Sequence, residues 1–135
     1  MRILALDVGT KTIGVAVSDE LCITANGVTT ILRKNIRYDT DEIKKLVESY
    51  DPSEIVVGVP YDMKGEVSVR GEEILKFAAK LKQAVNIPIK YWDESFSTVN
   101  AEKRLIGANV SRKKRKKVID KMAAVFILEE YLQSK

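Results

Sequence analysis

The 135-residue sequence predicts one α/β domain over residues 1–135, a five-stranded mixed sheet in the order βββαβαβα with helices on both faces. Two observations predict this class. Two apolar runs, residues 3–8 and 13–17, are joined by a loop that contains a glycine, which is typical of a β-hairpin. Further along the chain, strand patterns alternate with amphipathic helical patterns, as they do in sheets covered by helices.

The third strand and the first helix follow the hairpin. Residues 23–32 are rich in β-branched side chains and predict a strand, which Asn26-Gly27 interrupts with a bulge or turn. Residues 39–42, Asp-Thr-Asp-Glu, are typical of a helix start with a capping box. Apolar residues at helical spacing follow, and the helix is expected to end at Asp51-Pro52.

The remaining elements are predicted from short apolar runs and helical spacing. The run at residues 54–60 lies between a helix and a loop, which indicates a buried parallel strand. Residues 61–71 are polar and predict a loop. We then expect a second helix marked by residues 74–81, a fifth strand over residues 88–92, a short helix capped at residue 97 or 98 and carrying residues 101 and 105, and a final helix over residues 118–132.

Composition excludes several kinds of chemistry. The chain has no histidine, which excludes Ser-His-Asp and Cys-His catalysis and any histidine-ligated metal. A bound metal would need oxygen ligands, which favours Mg²⁺ or Mn²⁺ over Zn²⁺. The single cysteine, Cys22, has no partner for an internal disulfide. Because no apolar run has transmembrane or secretory character, we expect a cytoplasmic protein without a membrane partner.

Acidic residues at three separate places are candidates for metal binding. Asp7 lies in the first apolar run, Asp93 and Glu94 close the fifth strand, and Asp120 lies near the start of the final helix. Each has an ordinary structural explanation, such as a solvent-facing strand end or a favourable first-turn charge. Together, acids at two strand ends and one helix can converge on a divalent ion of the kind that supports phosphoryl transfer.

Positive charge is concentrated in one segment. Residues 103–117 hold eight basic and no acidic residues, whereas the rest of the chain has 15 basic and 19 acidic residues, a balance of −4. A solvated connector is the ordinary explanation, but six adjacent cations favour phosphate contact with structured RNA or branched DNA. The candidate nucleic-acid contacts are Lys11, Lys64, Arg70, Arg112, Lys113, Lys114, Arg115, Lys116 and Lys117.

Four segments resemble signatures of the YqgF/RuvX family, in order over nearly the whole chain. They are Leu-Asp-Val-Gly-Thr-Lys-Thr-Ile-Gly-Val-Ala-Val-Ser-Asp at residues 6–19, Ile-Val-Val-Gly-Val-Pro at 55–60 with Met-Lys-Gly at 63–65, Asp-Glu-Ser at 93–95 with Ser-Thr at 97–98, and Asp-Lys-Met-Ala-Ala at 120–124 with Ile-Leu at 127–128.

The resemblance implies an RNase H-like fold, similar to that of Holliday-junction resolvases. It further implies a cytoplasmic nuclease that matures the 5′ end of precursor 16S ribosomal RNA, with Asp7, Glu94 and Asp120 as the metal-binding acids. Thr12 and Ser95 stand where the family often has arginine, and Tyr61-Asp62 replaces a leucine-rich loop. These departures concern substrate contacts more than metal ligands.

Other functions stay open at this point. One is a Holliday-junction resolvase acting on branched DNA, and another is a nucleic-acid-binding module without catalysis. A third is a sugar kinase-like or actin-like ATPase, because residues 7–10 are similar to the first phosphate loop of those proteins. Such ATPases need two domains around a nucleotide cleft, however, and this chain predicts one. Monomer and homodimer are both open.

Overall fold

A computed structural model describes residues 1–61, 65–93 and 112–134, with the side chains of the last range described from Met122 onward. The elements are β1 Ile3–Val8, β2 Thr12–Ser18, β3 Ala25–Leu32, α1 Ile36–Tyr50, β4 Glu54–Val59, α2 Val69–Ala84, β5 Ile89–Asp93 and a final helix, here α3, Arg112–Gln133. Their order confirms the predicted succession of strands and helices. The short helix expected near residues 97–98 lies outside the described residues.

The five strands form one mixed sheet in the order β3-β2-β1-β4-β5. The first three strands are antiparallel to their sequence neighbours, and β4 and β5 join parallel to β1 and to β4. β1 is therefore the central strand, with one antiparallel and one parallel neighbour. The mixed sheet predicted from the sequence is confirmed.

Alternate side chains of β1 enter two separate hydrophobic cores. Leu4, Leu6 and Val8 pack on the face that α1 and α2 cover. Ile3 and Ala5 pack on the opposite face, against α3. Burial of apolar surface on both faces drives the three layers together. The predicted placement of helices on both faces is confirmed.

The predicted irregularity of the third strand lies beside Gly27. Val15 pairs with Thr29, but the next residue, Ala16, pairs with Gly27, so Val28 is an extra residue in β3. This is a β-bulge, which increases local twist at the edge of a sheet. The strand itself begins at Ala25, two residues later than expected.

The predicted start of α1 is wrong, whereas its end is confirmed. The helix begins at Ile36, because the side chain of Asn35 accepts the Tyr38 amide at 2.8 Å and caps the first turn. Asp39 lies within that first turn instead of preceding it. At the other end Asp51 adopts a left-handed conformation with φ 49° and donates its amide to Val47 O at 2.8 Å.

The two later helices also begin earlier than predicted. Ser68 caps α2 by accepting the Gly71 amide at 3.0 Å, so the expected loop over residues 61–71 ends at Ser68. The basic run Arg-Lys-Lys-Arg-Lys-Lys forms the first turns of α3 and is not a connector before it. Lysine and arginine have high helix propensity, which explains this extension. None of the described helices combines the length and apolar character needed to cross a membrane.

Candidate active site

Asp7 lies near the end of the central strand, on the face that α3 covers. It is half-buried, and its cross-strand partner on β2 is Gly14. On the other side Leu6 pairs with Val57, so the next residues of these parallel strands are Asp7 and Gly58. Glycine on both neighbouring strands places no side chain beside the carboxylate. At the level of Asp7, the two neighbouring strands therefore contribute no side chain of their own.

The turn after β1, which the sequence predicted as a loop containing a glycine, is tight. The Gly9 amide donates to Thr12 O at 2.7 Å, and a Cβ built on Gly9 would lie 2.8 Å from that same oxygen. A side chain at this position would therefore displace the backbone of β2. The close approach that glycine permits here is made by the chain's own backbone.

Two arginines hold the carbonyl groups that follow Asp7. Arg70 Nη2 donates to Val8 O at 2.6 Å, and Arg33 Nη1 donates to Gly9 O at 2.7 Å. Arg33 is itself fixed by Asp39, which is 1% exposed and accepts from Arg33 Nε at 2.9 Å. Charge-assisted hydrogen bonds of this kind give a defined geometry, so they fix the backbone that carries Asp7.

Sequence reasoning missed the roles of Arg33 and Asp39. Asp39 had a sufficient local explanation in the predicted capping box, and Arg33 belongs to no motif. The two residues are six positions apart in the sequence, and the turn between β3 and α1 brings their side chains to 2.9 Å. No signal in the sequence identifies Gly9 O as the second acceptor, since that contact spans 24 residues.

The contacts of α3 give its direction across the sheet. Tyr131, near the helix end, donates its hydroxyl to Glu54 Oε1 at 2.9 Å, and Glu54 pairs with Ile3 at the start of β1. The C-terminal part of α3 therefore lies over the beginning of β1. Ala124 and Ile127, one to two turns earlier in the helix, pack in the same core as Ile3 and Ala5, so we infer that the helix continues from there toward the end of β1, where Asp7 lies.

Residue 120 reaches the level of Asp7 along this path. Asp120 precedes Tyr131 by 11 residues in α3, about 16 Å at roughly 1.5 Å per residue. Asp7 follows Ile3 by four residues in β1, about 13 Å at roughly 3.3 Å per strand residue. Position 120 also shares a helix face with positions 124 and 127, where Ala124 and Ile127 are fully buried against the sheet.

Of the other predicted site residues, some lie within the residues that the structure describes and some do not. Glu94 comes directly after β5, but it and Lys64 lie outside the described residues. Lys11 is exposed in the turn between β1 and β2. Arg70 is part of the backbone contact to Val8 and also donates to Glu73 at 2.7 Å. Among described side chains, no three acids or cysteines come together as a metal site.

The predicted basic run lies at the end of α3 that is directed toward Asp7. Residues 112–117 form the first turns of the helix, and Tyr131 marks its opposite end at the start of β1. The backbone of the cationic segment therefore belongs to the half of α3 directed toward the Asp7 edge of the sheet. Two predicted features, Asp7 and the backbone of the basic run, therefore lie toward the same end of the sheet.

Comparison with known sequences finds matches over nearly the full chain. Residues 1–134 match the family described as RuvX: Holliday junction resolvase. A Clostridium acetobutylicum protein, provisionally named pre-16S rRNA nuclease, is 52% identical over 134 residues, covering 99% of each chain. A Clostridium novyi protein with the same provisional name is 50% identical over 134 residues, again covering 99% of each chain.

Two solved structures that share this fold are Holliday-junction resolvases. The Fowlpox virus resolvase, in complex with Holliday junction DNA, aligns with TM-score 0.61 and 16% identity, covering 99% of this chain and 98% of that chain. Thermus thermophilus RuvC, in complex with a Holliday junction substrate, aligns with TM-score 0.59 and 11% identity, covering 99% and 95%. At these identities the likeness shows a shared fold, and the RNase H-like fold predicted from the sequence is confirmed.

Proposed function

Because this chain belongs to the RuvX family, a family of Holliday junction resolvases, we propose that it is a divalent-metal-dependent nuclease that hydrolyses phosphodiester bonds. The supporting observation is the direction of α3. This helix extends from the start of β1 toward the strand's other end, and so carries Asp120 and the basic run to the level of Asp7. Acids at this end of the sheet, with a basic helix start beside them, would suit a phosphodiester substrate.

The residues at this edge fit a hard divalent cation. Asp7 is a half-buried carboxylate, and the neighbouring strand positions are glycines that add no side chain of their own. A chain without histidine offers oxygen donors, which Mg²⁺ and Mn²⁺ accept. In the proposal Asp7, Glu94 and Asp120 hold the ion. When bound, such an ion supplies water activation and neutralises charge developing on the phosphate.

The protein's own residues supply position and charge. Arg33 and Arg70 donate to the carbonyls of Gly9 and Val8, so the backbone around Asp7 is held in place before any ligand binds. The lysines and arginines of residues 112–117 and Lys11 contact the substrate's phosphates in this proposal. Such contacts position the strand and carry no base specificity.

We propose precursor 16S ribosomal RNA as the substrate, because the two full-length relatives carry the provisional name pre-16S rRNA nuclease. A cytoplasmic location follows from that substrate. The second candidate is a four-way DNA junction, which the structural neighbours named above bind in their complexes. Cutting a junction on two strands needs two active sites, so that activity requires a dimer, whereas RNA cleavage needs only a monomer.

The test is parallel cleavage of an RNA that spans the 16S 5′ precursor sequence and of a four-way DNA junction, with Mg²⁺ or Mn²⁺. We expect wild type to cut the RNA and Asp7→Asn to lose at least about a thousandfold in rate, while both bind RNA equally in EDTA. Asp41→Asn, an exposed acid on α1, is the matched control and keeps wild-type activity.

Metal binding is measured separately from activity. Mg²⁺ or Mn²⁺ raises the melting temperature of wild type because an ion that binds only the folded state stabilises it. We expect this increase to be lost in Asp7→Asn and Asp120→Asn and kept in Asp41→Asn. Undiminished RNA cleavage by Asp7→Asn would refute the site, and cleavage of the junction alone would transfer the proposal to branched DNA.

A further inference from the structure

A groove lies on the opposite face of the sheet from α3, next to the turn that follows Asp7. It is bounded by α2 and by the segment that joins β3 to α1, and its volume is about 660 Å³. Cavities that hold nucleotide-sized ligands span roughly 300–1,000 Å³. Val8 lines the inner end of the groove, so the groove begins one residue after the proposed metal ligand.

The groove carries net positive charge at its outer end. Four cations line it, but Arg33 is ion-paired with Asp39 and Arg70 with Glu73, so the net charge comes from Lys76 and Lys80. The chain outside residues 103–117 has a net charge of −4. The groove is therefore a local positive region on an otherwise acidic part of the protein, which favours an anionic occupant.

The two ends of the groove differ in how their cations are held. At the inner end Arg33 and Arg70 are fixed by the carbonyls of Gly9 and Val8. At the outer end Lys76 and Lys80 lie one turn apart on α2 and are exposed. Neither lysine has an ion-pair partner within the described ranges. Their charges are therefore available to phosphates one turn of helix apart.

The floor between these cations is apolar, and the planar guanidinium of Arg33 lies on it. Arg33 lies over the Phe77 ring at 5.0 Å from its centroid, and Ile36 is 49% exposed at the groove's edge. Unpaired bases stack on arginine planes and on apolar surface, while lysines follow the phosphate backbone. A base-paired strand has its base faces covered by stacking, so the groove's chemistry suits an unpaired one.

We propose that this groove binds an unpaired segment of the substrate RNA next to the scissile phosphodiester, with Lys76 and Lys80 contacting its phosphates. The proposal rests on the proposed nuclease function for its choice of RNA. It adds a second contact surface to the basic run of α3, on the other face of the sheet. The RNA then passes across the end of β1 from one surface to the other.

The test compares two double variants of the full chain that change charge equally. Lys76→Glu with Lys80→Glu alters the groove, and Lys44→Glu with Lys82→Glu alters exposed lysines outside its lining. Binding of a fluorescent single-stranded RNA of mixed sequence is measured by anisotropy in EDTA, so that no cleavage is needed. We expect at least a tenfold weaker affinity for the groove variant and less than a threefold change for the control.

The salt dependence gives a second readout. For single strands the slope of log affinity against log salt changes by about 0.7 per phosphate contact. Loss of two contacts should therefore lower the slope by about 1.4 in the groove variant and leave it unchanged in the control. Melting temperature and circular dichroism confirm that each variant is folded.

Three results would overturn the groove assignment. They are equal losses of affinity in the two double variants, unchanged affinity in the groove variant, and an equal loss for a duplex RNA of the same sequence. Each can occur while wild type still cleaves RNA, so the nuclease proposal would stand. Conversely, suppose that wild type never cuts RNA, while RNA binding is weakened in the groove variant and kept in the control. That result refutes the nuclease proposal and supports the groove as an RNA-binding surface.

Discussion

Arg33 and Asp39 form a 2.9 Å ion pair beneath the first turn of α1, with Asp39 only 1% exposed. The same guanidinium donates to Gly9 O at 2.7 Å, two residues after Asp7. The Arg33 side chain therefore links the start of α1 to the turn of the candidate active site through two contacts. Its removal should affect the stability of the fold and the position of that turn together.

We expect Arg33→Leu to lower the free energy of unfolding by about 3–5 kcal/mol, because it leaves the buried Asp39 carboxylate without its charge partner. The double variant Arg33→Leu with Asp39→Leu should lose less than the sum of the two single variants. Urea unfolding of all four proteins measures this coupling. Additive losses would show that the two residues act independently.

Gly71 should not tolerate alanine, although it lies within a helix. An alanine Cβ there would lie 2.7 Å from Val67 Cγ1 and 2.8 Å from Pro60 O. The gain of roughly 1 kcal/mol that alanine gives over glycine in a helix is outweighed by overpacking of about 1–3 kcal/mol. Gly71→Ala should therefore melt at a lower temperature than wild type.

Ser49→Ala, at an exposed position in α1, is the control for that substitution. Alanine has the higher helix propensity, so this variant should melt at or slightly above the wild-type temperature. A stabilised Gly71→Ala protein would mean that α2 can shift away from the end of β4.

Asp19 should make the stability of the fold depend on pH. Its carboxylate accepts the Ile23 amide at 2.7 Å and the Thr24 amide at 2.8 Å in the turn between β2 and β3. The hydrogen bond from Thr24, followed by that from Ile23, holds the pKa of Asp19 below its ordinary value of 3.8, against an opposing effect of desolvation. A carboxylate with a lowered pKa stabilises the fold above its unfolded pKa and loses that contribution as pH falls.

Asp19→Asn should therefore melt below wild type near neutral pH, and the difference should close as pH falls below about 3.8. Melting curves between neutral and strongly acidic pH check this, with Asp41→Asn as an exposed control. A difference that is constant across the whole range would show that the carboxylate's charge has no part in holding the turn.

Ile127 should be essential for the attachment of α3. It is fully buried between the helix and the sheet, so Ile127→Ala should cost about 2–5 kcal/mol through lost burial and a residual cavity. Leu132→Ala, at a half-buried position one turn later, should cost less. Guanidinium unfolding compares the two, and equal losses would mean that the helix does not pack as described.

The spacing of apolar residues predicted much of the fold, because the buried side of a helix or strand is visible in the pattern of residues close together in the sequence. The buried residues Ile74, Phe77 and Leu81 of α2 were identified by helical spacing, and β4 by its continuous apolar run. Helix starts were less predictable because several residues compete as caps. In α1 the N-cap is Asn35, and the Asp39 segment that the sequence predicted as the helix start lies within the first turn. Asp39 forms the buried ion pair with Arg33 there.

The candidate site was predictable only in part. Asp7 stood out as a charge in an apolar strand, and Gly9 as the residue of a tight turn. The glycine beside Asp7 on β2 depends on pairing between strands, and the Arg33 contact to Gly9 spans 24 residues. Neither follows from local pattern, because both are consequences of how distant segments align.

The small side chains under α3 have a consequence for how the acids are spaced. Ala5 and Ala16 of the sheet and Ala123 and Ala124 of the helix are all fully buried. They set the gap between two rigid layers, one bearing Asp7 and the other bearing residue 120. Replacing one of these alanines with valine would widen the gap, and so would change the distance between the backbones at Asp7 and at position 120 without altering either acid.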